Sequence, residues 1–109
     1  MVIGPLGQLA LEIHQNAHEK GFYSNEHNPP CPHKSGSFAS ALMLIVSELS
    51  EALEADRLNP YPSAVAEELA DVIIRTLDLM ASFEIDIDKE VERKMIKNQS
   101  RPHLHMKRY

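Results

Sequence analysis

The chain is poor in the residues that define several large classes of protein. It has one cysteine, Cys31, no tryptophan and four glycines among 109 residues. A lone cysteine excludes an internal disulfide and favours a reducing compartment, the cytoplasm. Four glycines leave no glycine-rich phosphate loop. No apolar run approaches the roughly 18 residues of a membrane span, and no basic segment followed by an apolar run opens the chain, so neither a membrane protein nor a secretory signal is expected.

Charge is unevenly distributed along the sequence. The formal net charge is −5, whereas a duplex DNA-binding protein normally carries a basic footprint, so nucleic acid is not the expected partner. The acids concentrate between Glu48 and Glu92, and the last segment, from Arg93 to Tyr109, holds six lysines and arginines and no acid. Such a tail is typical either of a solvated end or of a segment that meets phosphates.

The spacing of the apolar residues predicts an all-α fold, with one domain spanning residues 1–109. Four helices are expected, at about 5–20, 37–57, 63–83 and 89–98, with a loop at 25–36 and a basic tail at 99–109. Gly21 is expected to end the first helix. Ser63 is the expected N-cap of the third helix, and Asp86 and Asp88 are candidate caps of the fourth.

Helices two and three each carry an apolar stripe. The main stripe of helix two is Phe38, Leu42, Ile45, Leu49 and Leu53, and that of helix three is Val65, Leu69, Val72, Thr76 and Met80. Parts of helix two, such as residues 41–46, are apolar nearly all round. One small subunit cannot cover so much apolar surface, so we expect a homo-oligomer.

Two pairs of acids stand out beside these stripes. Glu48 and Glu51 have i,i+3 spacing on helix two, and Glu68 and Asp71 have it on helix three. Each pair therefore lies on one helix face, and antiparallel packing of the helices would bring the four carboxylates together. Clustered carboxylates need a cation, and all-oxygen ligands suit Mg²⁺, which in turn suggests a phosphate-bearing substrate. The Glu-x-x-His motifs of di-iron bundles are absent from the sequence.

The segments around the acids resemble a known family. SELSEALEADR and AEELADVIIRTLDLM are similar to the MazG-like, all-alpha nucleoside triphosphate pyrophosphohydrolases, whose signature is E-x-x-E, a spacer, then E-x-x-D. NAHEKGFYS resembles the end of the family's first helix, and KMIKNQSRPHLHMKRY the tail of its short single-domain members. The resemblance covers most of the chain outside residues 25–36.

The resemblance implies an oligomeric four-helix bundle that cleaves a nucleoside triphosphate between its α and β phosphates, giving a monophosphate and pyrophosphate. It implies that Glu48, Glu51, Glu68 and Asp71 hold Mg²⁺, with Mn²⁺ as the alternative ion, and that the active form is a homodimer or homotetramer. Some members carry a glutamate, a general base, at the position of Ser47. Here Glu51 or a neighbour such as Glu54 activates the water, or the metal alone suffices.

The substrate contacts follow from the same resemblance. Lys94, Asn98 and Arg101 are expected to bind the triphosphate, with Lys20 as a weaker candidate. Asp78 either contacts the sugar or base or pairs with Arg75, and the sequence favours neither.

Other interpretations stay open at this level. His14 and His18 have i,i+4 spacing, and His27, Cys31 and His33 cluster in the loop, but they match no strong zinc signature, so surface or interface histidines are favoured. The acids also fit a non-catalytic nucleotide- or metal-binding helical module, or a structural oligomer whose acids are solvated. The sequence leaves the base and sugar preference open.

Overall fold

The computed structural model describes residues 3–21, 37–58 and 62–108, and over these ranges the chain is helical and contains no strand. The helices are α1 (Pro5–Glu19), α2 (Ser37–Leu58), α3 (Pro62–Ser82) and α4 (Ile87–Gln99). The predicted all-α class is confirmed, and the bounds agree with the sequence within two residues. Ser63 lies inside α3 rather than at its N-cap, because the helix begins at Pro62, whose fixed φ suits a first helical position. The loop at 25–36 lies outside the described residues.

Local signals end α1 and begin α4. Gly21 has φ 83°, the left-handed conformation that glycine adopts readily, and its N–H donates to the carbonyl of His18 at 3.0 Å. Asp86 caps α4, since its side chain accepts a hydrogen bond from the N–H of Lys89 at 3.3 Å. Both predictions from the sequence are confirmed.

The start of α1 is capped from a distance. Gly4, its N-cap, has no side chain, and Pro5 follows as the first helical residue. The carboxylate of Asp88 on α4 accepts the N–H groups of Leu6 at 3.0 Å and Gly7 at 2.9 Å. A Cβ at Gly4 would lie 2.5 Å from Cγ of Asp88, so the close approach requires glycine there. Asp88, which the sequence offers as a candidate cap of α4, instead lies in the first turn of α4 and caps α1, some 80 residues away.

The core is small and centred on α3, which packs against the other three helices. Ala10, Leu77 and Ile87 form the buried cluster, which joins α1, α3 and the first residue of α4. Leu6, Ile13, Met80 and Ala81 pack around it.

α2 buries a different face from its main apolar stripe. Its two buried residues are Glu48 and Ala52, and Ala41, Ile45 and Ala55 beside them are half-buried. In the single chain the stripe residues Phe38, Leu42, Leu49 and Leu53 are 42%, 43%, 47% and 61% exposed. The small residues of α2 therefore allow close approach to α3. Of the stripe, Ile45 is half-buried and Phe38 meets the ring of Phe83 edge to face, with centroids 5.4 Å apart, whereas Leu42, Leu49 and Leu53 are exposed.

After α4 the backbone turns through three left-handed residues, Leu104, His105 and Met106, with φ of 53°, 50° and 65°. The guanidinium of Arg101 lies 3.1 Å from Nδ1 of His105 across this turn. Among the described residues, no helix is long and apolar enough to cross a membrane.

Candidate metal centre

Glu48 is the buried charged residue in the described part of the chain, with 8% of its surface exposed. One of its carboxylate oxygens, Oε1, accepts a 2.8 Å hydrogen bond from Nε of Arg75. The other oxygen, Oε2, is buried and has no hydrogen-bond partner in the described part of the chain. Burying a carboxylate oxygen without a hydrogen-bond partner costs free energy, because the oxygen loses its hydrogen bonds to water and forms none within the protein. A bound cation, or a proton shared with a neighbouring carboxyl, would stabilise Oε2.

Two further carboxylates converge on Glu48. Glu68 and Asp71, one turn apart on α3, bring ligand oxygens within 4.8 Å of each other and of Glu48. Two oxygens bound to one Mg²⁺ at 2.0–2.1 Å lie at most about 4.2 Å apart, so small side-chain adjustments suffice for a shared ion. The donor set is all oxygen, and the three residues fit a hard divalent cation. The same oxygen ligands do not suit a soft metal ion, which prefers sulfur or nitrogen.

Glu51 lies beside this cluster rather than in it. It is exposed, and it does not belong to the set of three converging ligands. Hydrogen bonding with Glu48 and that residue's negative charge, followed by the same effects from Glu68, raise the pKa of Glu51 above its usual value. The hydrogen bond from Arg75 lowers the pKa of Glu48. The pKa values of these two neighbouring carboxyls thus shift in opposite directions, because Glu48 is paired with a cation and Glu51 faces negative charge.

Arg75 lies on the same face of α3 as Glu68 and Asp71, as its spacing of seven and four residues from them predicts. The sequence names Asp78 as its candidate partner. The structure pairs it with Glu48 across the α2–α3 interface. It acts as the internal counter-ion of the cluster.

Asp78 has a partner on another helix. Its Oδ1 lies 2.7 Å from Nδ1 of His14 on α1, and Nε2 of His14 lies 3.1 Å from Nε2 of His18. Asp78 does not pair with Arg75, which was one of its two expected roles. Asp78 contacts His14 instead, and Arg75 donates to Glu48. Lys20, at the end of α1, is exposed.

The candidate bases near Glu48 differ in their surroundings. The hydroxyl of Ser47 donates to the carbonyl of Leu44 at 2.7 Å, so it is engaged with the backbone. Glu54 is exposed and pairs with Arg57 at 3.4 Å. Glu67 is exposed, as expected for a residue that points about 100° away from Glu68 on the helix. Glu51 is the acid nearest to the ligand set in these contacts.

The basic residues of α4 are neighbours of one another. The charge of Arg101, and then that of Lys97, lowers the pKa of Lys94 below its usual value. Asn98 lies one turn after Lys94 and is exposed. α4 packs on α1 and α3, and the described contacts do not join its basic residues to the carboxylates.

Comparisons with protein-family models, with curated proteins and with solved structures found no match to this chain. Over the described residues the protein is all-α, and three of its carboxylates, those of Glu48, Glu68 and Asp71, lie close enough together to be candidate ligands of one cation.

Proposed function

We propose that the protein is a Mg²⁺-dependent nucleoside triphosphate pyrophosphohydrolase, with Mn²⁺ as an alternative ion. The proposal rests on two observations about Glu48. Its Oε2 is buried and has no hydrogen-bond partner among the described residues, and one of its carboxylate oxygens lies within 4.8 Å of oxygens of Glu68 and Asp71. An unpaired anionic atom within an acidic cluster is explained by a cation that binds there. The spacing of the acids and their flanking segments, which resemble the MazG-like family, supports phosphate chemistry at that cation.

Each residue of the cluster has a role in this proposal. Glu48, Glu68 and Asp71 hold the ion, and Glu51, at their edge, completes the ligand set or accepts the proton of the attacking water. When bound, Mg²⁺ neutralises phosphate charge and acidifies that water. The raised pKa of Glu51 makes it a stronger base than an ordinary glutamate. Its exposed position lets it reach a solvent molecule that the buried Glu48 cannot.

The substrate contacts remain those that the resemblance implies. Lys94, Asn98 and Arg101 bind the triphosphate, and the repulsion between the positive charges of Lys94 and Arg101 is relieved when phosphate lies between them. Lys20 is a further candidate for phosphate, and Asp78, held by His14, for the sugar or base. Closure of the tail toward the carboxylates on binding is part of this proposal.

The active form in this proposal is a homodimer or homotetramer built on α2. Leu42, Leu49 and Leu53 lie on one side of α2 and are 43%, 47% and 61% exposed in the single chain, and this apolar face is suited to a second copy. The radius of gyration is 16.4 Å, whereas a compact monomer of this length is expected near 13 Å. An open subunit with one bare helix face is typical of an obligate assembly.

Matched acid-to-amide variants test the metal assignment. Asp71→Asn should lose turnover by at least about 100-fold, the scale of removing one preorganised charge contact. Glu67→Gln, a neighbouring glutamate outside the cluster, should retain turnover. Circular dichroism should show the same helicity in both. Equal activity in the Asp71 and Glu67 variants would remove the carboxylate cluster from the proposal.

One observation favours a second candidate function. Position 47 carries a serine rather than an acid, and its hydroxyl donates to the carbonyl of Leu44, so a nucleotide- or metal-binding helical module without turnover is the alternative. Such a module would bind Mg²⁺ and nucleotide in calorimetry and release no product.

A further inference from the structure

A second group of metal-ligating side chains lies outside the carboxylate cluster. His14 and His18 are one turn apart on α1, and their Nε2 atoms face each other at 3.1 Å. The rings meet edge to face with centroids 4.6 Å apart. Both residues are half-buried between α1 and its neighbours. The pair therefore presents two imidazole nitrogens at one point on the molecule.

The contact with Asp78 determines which nitrogen of the His14 ring donates a hydrogen bond. An ionised carboxylate only accepts hydrogen bonds, so the 2.7 Å contact makes Nδ1 of His14 the donor. In the neutral ring, Nε2 of His14 then carries the lone pair, and it points at His18. A carboxylate behind the non-ligating nitrogen is the usual support of a histidine that binds zinc, because it sets the tautomer and makes the ligand more basic.

The distance between the nitrogens matches a shared ion. Two nitrogens at 2.0–2.1 Å from a tetrahedral Zn²⁺ lie about 3.3–3.4 Å apart, and the two Nε2 atoms are separated by 3.1 Å. Histidines at i and i+4 on a helix are a recurrent zinc-binding pair for this reason. In the ion-free state, the same two atoms share a proton instead.

We propose that His14 and His18 bind Zn²⁺ through their Nε2 atoms, with Asp78 as the supporting carboxylate of His14. His18 moves its proton to Nδ1, or releases it, when its Nε2 becomes a ligand. The pair supplies two of the ligands of the ion. Because Asp78 belongs to α3, the bound ion stabilises the contact between α1 and α3.

The two sites select different ions by their donor atoms. Imidazole nitrogen suits Zn²⁺, whereas the carboxylate oxygens of Glu48, Glu68 and Asp71 suit Mg²⁺. None of those three carboxylates contributes to the histidine pair in this proposal. The zinc site shares no metal ligand with the carboxylate cluster, although Asp78 is also the candidate contact for the sugar or base. Zinc binding and Mg²⁺-dependent turnover are measured separately, so either proposal can fail alone.

Calorimetric titration of the full chain with Zn²⁺, in excess Mg²⁺ to fill the carboxylate cluster, tests the site. The wild-type protein should bind one equivalent that His14→Gln and His18→Gln each lose. Asp78→Asn should bind it about 10–100-fold more weakly, the usual effect of removing a supporting carboxylate. His103→Gln, which changes an exposed tail histidine, should bind as the wild type does.

Nitrogen-15 spectra of labelled histidine in the wild-type protein provide a readout that does not depend on the variants folding. One equivalent of Zn²⁺ should shift the Nε2 resonances of two imidazoles and leave those of His103 and His105 in place. A zinc equivalent that survives in both His14→Gln and His18→Gln, or a titration that shifts no imidazole pair, would overturn the proposal.

Discussion

Nε of Arg75 donates a 2.8 Å hydrogen bond to Oε1 of Glu48 and joins α3 to α2 at the centre of the acidic cluster. The arginine neutralises one oxygen of a carboxylate whose other oxygen has no partner in the described contacts. Its guanidinium is a fixed positive charge beside the carboxylates that are proposed to bind Mg²⁺. The ion pair therefore brings one positive charge to the three described carboxylates.

Replacement of Arg75 by glutamine should make folding depend more strongly on Mg²⁺. Without the guanidinium, buried Glu48 faces Glu68 and Asp71 with no counter-charge, so the metal-free protein should melt at a lower temperature than wild type. Bound Mg²⁺ should then raise the melting temperature more in the variant than in wild type. Thermal denaturation in EDTA and in Mg²⁺ measures both.

Arg57→Gln is the matched control for that experiment. Arg57 forms an exposed pair with Glu54, so its removal should change the free energy of unfolding by less than about 0.5 kcal/mol and leave the Mg²⁺ response unchanged. Identical Mg²⁺ responses in the Arg75 variant and the control would argue that Arg75 does not neutralise the cluster.

Glu51→Gln should stabilise the metal-free protein at neutral pH while it removes turnover. The pKa of Glu51 is raised in the folded state by Glu48 and Glu68. Ionised Glu51 therefore destabilises the fold at pH values above its folded pKa, and the effect disappears below the pKa of the unfolded chain. Denaturant titrations in EDTA should show a more stable variant at pH 7 and no difference at pH 3. A less stable variant at pH 7 would contradict the raised pKa.

Asp88→Ala should destabilise the fold without touching the carboxylate cluster. It removes the acceptor for the N–H groups of Leu6 and Gly7 at the start of α1. Loss of a helix cap costs about 0.5–2 kcal/mol, so the urea midpoint should fall accordingly. Glu92→Ala, an exposed acid on the same helix, is the control. If both variants unfold at the same urea concentration, the long-range cap contributes nothing.

Leu53→Glu should weaken the proposed assembly. Leu53 is 61% exposed on the apolar face of α2, and a charge buried between two copies is strongly unfavourable. Light scattering after size exclusion should give a dimer or tetramer mass for wild type and a smaller mass for the variant. Leu58→Glu changes a residue that is 77% exposed at the end of α2 and should leave the mass unchanged. A monomeric wild type at all concentrations would rule out this interface.

The sequence predicts the features that depend on local chemistry. Gly21 ends α1 and Asp86 caps α4 because each acts on backbone groups a few residues away. The i,i+3 spacing also predicts that Glu48 and Glu51 share one helix face and that Glu68 and Asp71 share another. That Glu48, Glu68 and Asp71 form the set of three, with Glu51 beside it, depends on how α2 and α3 pack.

The remaining features depend on how the helices are rotated and packed, which periodicity does not define. The pairing of Arg75 with Glu48 and of Asp78 with His14 is set by contacts between helices. Asp88 caps α1 only because the fold brings α4 to its first turn. The apolar stripe of α2 can be read from the sequence. Its exposure cannot, because it results from the packing of another face of α2, rich in alanine, on α3.

The most direct test of the account is product identification from a panel of ribo- and deoxyribonucleoside triphosphates, incubated with and without Mg²⁺ and resolved by ion-exchange chromatography. The account predicts a nucleoside monophosphate and pyrophosphate, formed only when the metal is present and lost in Asp71→Asn. Diphosphate and orthophosphate, or no product from any nucleotide, would contradict it.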